Sequence, residues 1–150
     1  MELPARKHLR LPDYDYSLTG AYFLTLCVKD RKPIFWDGRG ELRSPENLSS
    51  IGRVVEEELK RLDGVYEGVR LDKYCIMPDH IHLILFLEGG RTQFAPTVSR
   101  IVKQFKGVVT KRLGFSPWQR SYYDHVIRNE QDYLETWTYI DNNPSKIHAR

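Results

Sequence analysis

Cysteine is scarce: Cys27 and Cys75 are the only two in 150 residues, each inside an apolar, strand-like stretch and far from the other. That spacing excludes a disulfide scaffold, a metal knuckle and a paired redox motif, and it leaves buried free thiols in a reducing compartment as the expectation. Long apolar runs are missing too. No stretch approaches the roughly 20 residues of a membrane span, and the N-terminal residues contain Pro and Arg without a long apolar core. A soluble, cytoplasmic protein without a membrane partner is expected. No internal repeat or low-complexity segment is present. Acidic residues are missing from one region: between Gly89 and Tyr123 there is no Asp or Glu, while Arg91, Arg100, Lys103, Lys106, Lys111, Arg112 and Arg120 all lie there. The formal net charge of +3 is only mildly basic, so this local field is the sharper sign of an acidic polymer partner. A solvated helix face has the same composition.

What is present is enough for a real core. With 41% hydrophobic and 12% aromatic residues, the chain reads as a single domain over residues 1–150, of which 1–18, without periodicity, form an extended arm. After Gly20 the run Ala21 to Val28 reads as a strand ending in the charged turn Lys29 to Pro33. Ser49 or Ser50 caps a helix that carries Ile51, Val54, Val55, Leu59 and Leu62 at helical spacing and ends near Gly64. Two further apolar runs, Val69 to Ile76 and Ile81 to Leu87, are separated only by Met77-Pro78-Asp79. That is too short for a parallel crossover, so they pair antiparallel. Pro96-Thr97 opens a second amphipathic helix, with Val98, Ile101, Val102, Phe105 and Val109 inward, stopped by Gly114 and Pro117. A short strand over Tyr122 to Ile127 and a helix from about Asn129 to Asn142, stopped by Pro144, complete the pattern. The order predicts an α+β fold: a ferredoxin-like antiparallel sheet with helices on one face, plus a C-terminal helix.

Three stretches carry chemistry. In Asp79-His80-Ile81-His82-Leu83 the two-residue period of a strand puts His80 and His82 on one face and Ile81, Leu83 and Leu85 on the other. Two imidazoles on one rigid face form a bidentate metal site, although histidines hydrogen-bonded at a strand end read the same way. In the last helix, Tyr133, Trp137 and Ile140 share a face that packs on the domain, while Tyr139 and Asn143, one turn apart, lie at its edge. A phenol and an amide so placed can supply a nucleophile and a ligand; packing and a helix stop are the plainer roles. Trp118 to His125 interleaves aromatics with Arg120, a composition that suits base stacking and phosphate contact and equally suits a hydrophobic turn.

The ordered set Gly20-Ala21-Tyr22-Phe23-Leu24-Thr25, Met77 to Leu83, Lys103-Gln104-Phe105-Lys106, Trp118 to Arg128 and Tyr139-Ile140-Asp141-Asn142-Asn143-Pro144 resembles the REP-associated tyrosine transposases. These are bacterial relatives of the single-tyrosine insertion-sequence transposases, within the HUH endonucleases. The resemblance runs from about residue 9 to residue 147, and it implies that the last helix carries the nucleophile. By position, Tyr139 matches that nucleophile, His80 and His82 match the metal-binding pair, and Asn143 matches the third ligand. Tyr122 and Tyr123 are rivals that fall in a strand. Family members continue past the Asn-Pro motif into a tail, whereas this sequence stops at Arg150; what such a tail does, ordering DNA or assembling subunits, is left open, as is the oligomeric state.

The expectation that follows is a DNA strand transferase acting on single-stranded DNA, at hairpin or repeat ends. The Tyr139 oxygen attacks a phosphodiester, leaves a 5′-phosphotyrosine link and frees a 3′ hydroxyl, with Mg²⁺ or Mn²⁺ as cofactor, although histidine ligands also admit Zn²⁺. Arg100, Lys103, Lys106, Lys111, Arg112, Trp118 and Arg120 are the expected DNA contacts. A catalytically quiet protein that binds DNA repeats or hairpins is the alternative, and a metal-dependent nucleotide hydrolase a third.

Overall fold

The computed structural model describes residues 20–38, 45–88 and 97–148, with the backbone alone for 45 and 143–148. The arm expected at 1–18 lies outside the described residues, as does Arg91. β1 (Gly20–Cys27) is followed by short 3-10 turns at Lys29–Arg31 and Pro45–Asn47. Then come α1 (Ser50–Val65), β2 (Val69–Met77), β3 (His80–Leu87), α2 (Val98–Leu113), β4 (Tyr123–Ile127) and α3 (Glu130–His148). The strands form one antiparallel sheet in the order β2-β3-β1-β4, which is the ferredoxin-like arrangement. Because β3 lies between β1 and β2, those two run parallel, and a short turn cannot join them; α1 makes the crossover, and α2 does the same between β3 and β4. The handedness of such crossovers puts both helices on one face.

That face holds the main core. Tyr22, Leu24 and Leu26 of β1 and Ile81, Leu83 and Leu85 of β3 are buried with Val55, Leu59 and Leu62 of α1 and Ile101, Val102, Phe105 and Val109 of α2. The helix ends follow local chemistry. Ser49 Oγ accepts from the Gly52 N–H at 3.0 Å, Thr97 Oγ1 accepts from the Arg100 N–H at 3.3 Å, and Gly114 closes α2 in the left-handed conformation at φ 84°. Asp63 and Gly64 leave helical geometry, so the regular part of α1 stops after Leu62.

α3 lies on the other face. There Phe23, Ile84 and Ile140 form a second, smaller core with Ala21, Cys75, Ile127 and Tyr133 packed against it. Two expectations for α3 need correction. Its inward stripe is Asp132, Thr136 and Ile140, all fully buried, whereas Trp137 is exposed. A stripe with two polar members is invisible to hydrophobic periodicity; it exists because His125 of β4 meets Asp132 there. Pro144 also does not stop the helix, whose backbone continues to His148. A proline removes one N–H, here the partner of the Ile140 carbonyl, and a helix can cross it with that bond missing.

β2 carries a bulge. Its register with β3 shifts between Leu71 and Lys73, leaving Asp72 as the extra residue. A bulge re-aims neighbouring side chains, and both Asp72 and Lys73 reach α3: the Tyr133 hydroxyl donates to Asp72 Oδ2, while Lys73 Nζ bonds Asp141 Oδ1 at 2.8 Å and lies 3.8 Å from the Trp137 ring centre. None of the described helices is long and apolar enough to cross a membrane.

Candidate active site

β3 begins at His80, which pairs with Cys27 of β1, and His82 pairs with Thr25. Strand alternation therefore aims both imidazoles at the α3 face, away from the main core. Their Nε2 atoms are 3.2 Å apart. Each Nδ1 has its own partner: Asp79 Oδ1 lies 2.6 Å from that of His80, and Thr25 Oγ1 lies 2.9 Å from that of His82. A carboxylate only accepts, so Asp79 holds the proton on His80 Nδ1 and leaves Nε2 with a free lone pair. The Arg31 guanidinium, 3.5 Å from the same Nδ1, is the weaker neighbour; its Nε donates to Asp79 Oδ2 at 3.1 Å. Thr25, a hydroxyl, serves either tautomer of His82.

The electrostatics favour a neutral His80. Burial pushes the His80 imidazolium below its ordinary range even though Asp79 pulls the other way. Burial would raise Asp79, but the hydrogen bonds from His80 and Arg31 hold it below the usual carboxylate range. The turn that carries Asp79 is itself pinned, since the Val28 N–H bonds the Asp79 carbonyl at 2.9 Å and the Phe35 N–H bonds that of Pro78 at 3.1 Å. Arg31 is brought there by a backbone in the left-handed region, at φ 54°.

Tyr139 arrives from the opposite direction, on α3. Its ring centre is 5.6 Å from that of His82 and 6.2 Å from that of Phe23, and the residue remains 42% exposed. Several contacts set this reach. Asp132 Oδ2 lies 3.0 Å from His125 Nε2 and accepts from the Arg128 N–H at 3.1 Å, Asn129 Oδ1 caps the helix at the Asp132 N–H at 2.8 Å, and the Lys73 and Tyr133 contacts tie α3 to β2. Of the rival tyrosines, Tyr122 packs against the main core and meets Ser99 of α2 through its hydroxyl at 3.1 Å. Tyr123 pairs with Thr25, so it shares the histidine face but sits on β4, two strands from β3.

The fit to a metal can be judged from the histidine pair. Two nitrogens 3.2 Å apart can both touch one ion at bond lengths of about 2.1 Å. Among the described residues no three His, Cys, Asp or Glu side chains converge on a metal position, so the pair can offer two ligands, and any third would be of another kind. Asn143 lies one turn beyond Tyr139 in α3, and its side chain is outside the described residues.

The basic set divides. Arg100, Lys103 and Lys111 are exposed on α2, the helix that covers the opposite face from the histidines. Arg112 is paired with Glu57 at 2.8 Å and Glu58 at 2.9 Å of α1. Lys106 is half-buried and donates to the carbonyls of Gln119 at 2.9 Å and Ser121 at 3.1 Å; its burial pushes the ammonium below its ordinary range. Trp118 is only 6% exposed and belongs to the main core, its ring centre 5.8 Å from that of Phe35 and 5.7 Å from that of Phe105. Arg120 is exposed on the segment whose neighbour Gln119 bonds the Cys27 carbonyl at 2.9 Å, at the histidine end of the sheet. Reading the sequence passed over Thr25, Arg31 and Asp79. Asp79 adjoins the histidines in the chain, which is a usable signal, but Thr25 and Arg31 become neighbours only through strand pairing.

No family model matches the sequence. An uncharacterized protein of Haemophilus influenzae is 33% identical over 162 aligned positions, covering 93% of this chain and 88% of that protein. The REP-associated tyrosine transposase of Escherichia coli K12 is 34% identical over 132 positions, covering 87% of this chain and 70% of the relative. Among solved structures, a REP-associated tyrosine transposase bound to a REP hairpin superposes with a TM-score of 0.60 over 93% of this chain and 74% of its own, at 24% identity. That likeness shows the same fold. With its fold shared and a third of its residues identical to the Escherichia coli protein over most of both chains, this chain belongs to the REP-associated tyrosine transposase family.

Proposed function

We propose that this chain cuts and rejoins single-stranded DNA, with Tyr139 as nucleophile and a divalent ion held by His80, His82 and Asn143. The observation that carries the reading is the convergence of two elements distant in sequence: the Tyr139 ring lies 5.6 Å from that of His82, whose Nε2 faces that of His80 at 3.2 Å. Mg²⁺ or Mn²⁺ there would offset the charge of a phosphodiester and polarise it.

The chain's own residues do the rest. Asp79 keeps the proton on His80 Nδ1, so Nε2 is unprotonated; the Thr25 hydroxyl can accept an Nδ1 proton from His82 when an ion takes its Nε2, since it serves either tautomer. Arg31 adds a positive charge beside the pair, and its side chain is 55% exposed. Tyr139, tethered through α3 but open to solvent, gives up its phenolic proton as its oxygen bonds phosphorus. The bond from phosphorus to the 3′ oxygen breaks, and that oxygen leaves as a hydroxyl by gaining a proton. The 5′ end is then held as a phosphotyrosine. Attack by another 3′ hydroxyl reverses the step and restores the phenol, so neither ATP nor water is consumed. The structure of a relative with a REP hairpin supports hairpin or repeat ends as the substrate. The test is to incubate end-labelled single strands with protein and Mg²⁺ or Mn²⁺ and look for label that migrates with denatured protein. Cleavage without any adduct would mark a hydrolase, and binding without cleavage a quiet repeat-binding protein.

A further inference from the structure

Arg31 stands beside the histidine pair at the tip of a strained turn. Asp30 and Arg31 both lie in the left-handed region, at φ 60° and 54°, where an L side chain crowds the following carbonyl. The surroundings enforce that conformation. The Val28 N–H bonds the Asp79 carbonyl at 2.9 Å, the Lys29 N–H bonds the Pro117 carbonyl at 2.8 Å, and the Arg31 N–H closes back on the Val28 carbonyl at 2.9 Å. On the other side the Gln119 N–H bonds the Cys27 carbonyl at 2.9 Å, and Val28 pairs with Trp118 of the main core. The turn that follows β1 is therefore fastened both to the β2–β3 turn and to the segment before β4, and its tip presents one side chain to the histidines.

A single hydrogen bond aims that side chain. Arg31 Nε donates to Asp79 Oδ2 at 3.1 Å, while the other oxygen of Asp79 meets His80. Nη2 is 3.5 Å from His80 Nδ1, a nitrogen that carries a proton and so accepts nothing from it. An arginine that serves only to neutralise a carboxylate makes two parallel bonds to it. Here Asp79 takes one, and among the described residues no other carboxylate bonds the guanidinium. Its outer edge keeps four of the five N–H donors, on a side chain that is 55% exposed. Two coplanar N–H groups match two oxygens of one phosphodiester. The guanidinium and the Tyr139 ring are linked through the histidines, since Tyr139 packs on His82 and His82 faces His80. We propose that Arg31 binds the phosphodiester presented to Tyr139, by hydrogen bonds to its non-bridging oxygens, and that Asp79 positions Arg31 for it. Arg31 gives up no proton; its fixed charge opposes the negative charge that builds on those oxygens as the phenol attacks. The proposal rests on the strand-cleavage reading for which phosphate is bound, but the contact itself is read by binding alone.

The experiment uses the full chain with a chelator present and a DNA hairpin that has unpaired flanks. A methylphosphonate, in which a methyl group replaces one oxygen and removes the charge, is placed at each flank linkage in turn. At one linkage the wild type should bind the neutral form about tenfold more weakly. In Arg31→Gln that penalty should vanish while penalties at other linkages remain, and Arg31→Lys, with the charge but without the fork, should keep part of it. Arg31→Gly suits the left-handed turn, so it should stay folded in thermal melts and still lose the same penalty. In Mn²⁺, the linkage at which wild type forms its covalent adduct should be that same linkage. If every linkage that matters in the wild type matters equally in Arg31→Gln, Arg31 serves only the turn and Asp79, and the proposal falls. It falls also if the Arg31-dependent linkage is not the one cleaved. An Arg31-dependent linkage with no adduct anywhere would uphold the phosphate contact and sink the cleavage reading, while an adduct without such a linkage would do the reverse.

Discussion

Asp79→Asn is the sharpest perturbation of the histidine pair, because it changes charge and one atom type while leaving the shape of the turn. The Asp79 carboxylate sits 2.6 Å from His80 Nδ1 and accepts from Arg31 Nε at 3.1 Å. An amide can turn its NH₂ toward Nδ1, which moves the imidazole proton to Nε2 and removes the lone pair a metal needs. Two routes give the size of the effect. A charge-assisted hydrogen bond is worth about 1.5–3 kcal/mol, which converts to a factor of about 10 to 150 at 1.4 kcal/mol per decade. Loss of the group that orients a metal-binding histidine costs about 10- to 100-fold in metal affinity. The two agree on one to two decades. In an adduct assay titrated with Mn²⁺, the concentration for half-maximal activity should rise by about that much, and activity should recover at saturating Mn²⁺. Calorimetric titration of Mn²⁺ into the protein should show the same shift without DNA. An unchanged metal dependence, or a loss that no metal concentration restores, would refute the role given to Asp79.

Tyr139→Phe keeps the ring beside His82 and Phe23, so stability should stay within about 0.5 kcal/mol and DNA binding should persist while the covalent adduct disappears. Tyr122→Phe and Tyr123→Phe should retain it, and a reversed pattern would move the nucleophile. Asp132→Ala should cost about 2–4 kcal/mol in urea denaturation, since it strands buried His125 and the Arg128 N–H and loosens α3 from β4; a loss below about 1 kcal/mol would mean that α3 is held elsewhere. Lys106→Ala should lower the melting temperature by releasing the Gln119 and Ser121 carbonyls and leave the salt slope of DNA binding unchanged, whereas a slope reduced by about one unit would show that its ammonium contacts a phosphate.

Local patterns carried much of the fold. The two-residue period of β3 was enough to put His80 and His82 on one side, because alternation is a property of any extended chain. The 3.6-residue periods of α1 and α2, the Ser49 and Thr97 caps and the Gly114 terminator are likewise encoded within a few residues of where they act. The strand order followed from element order and the length of each connection. The resemblance singled out Tyr139 and Asn143 by motif; nothing in their helical spacing alone distinguishes them from packing residues.

Pairing between distant segments decided the rest. Which face α3 covers depends on His125 meeting Asp132 and on a bulge that turns Asp72 and Lys73 toward the helix, and neither leaves a periodic trace. Hydrophobicity alone puts Trp137 inside and Asp132 outside, the reverse of what is found, because the cost of burying a carboxylate vanishes only once its partner is known. Trp118 suits a stacking segment and a hydrophobic turn equally in sequence, and it is Phe35 and Phe105 that place it in the core; Lys106 reads as a free cation until two carbonyls claim it. The chemistry of each residue is written in its side chain, but whether that side chain faces a core, a carbonyl or a phosphate depends on the strand pairing and helix packing around it.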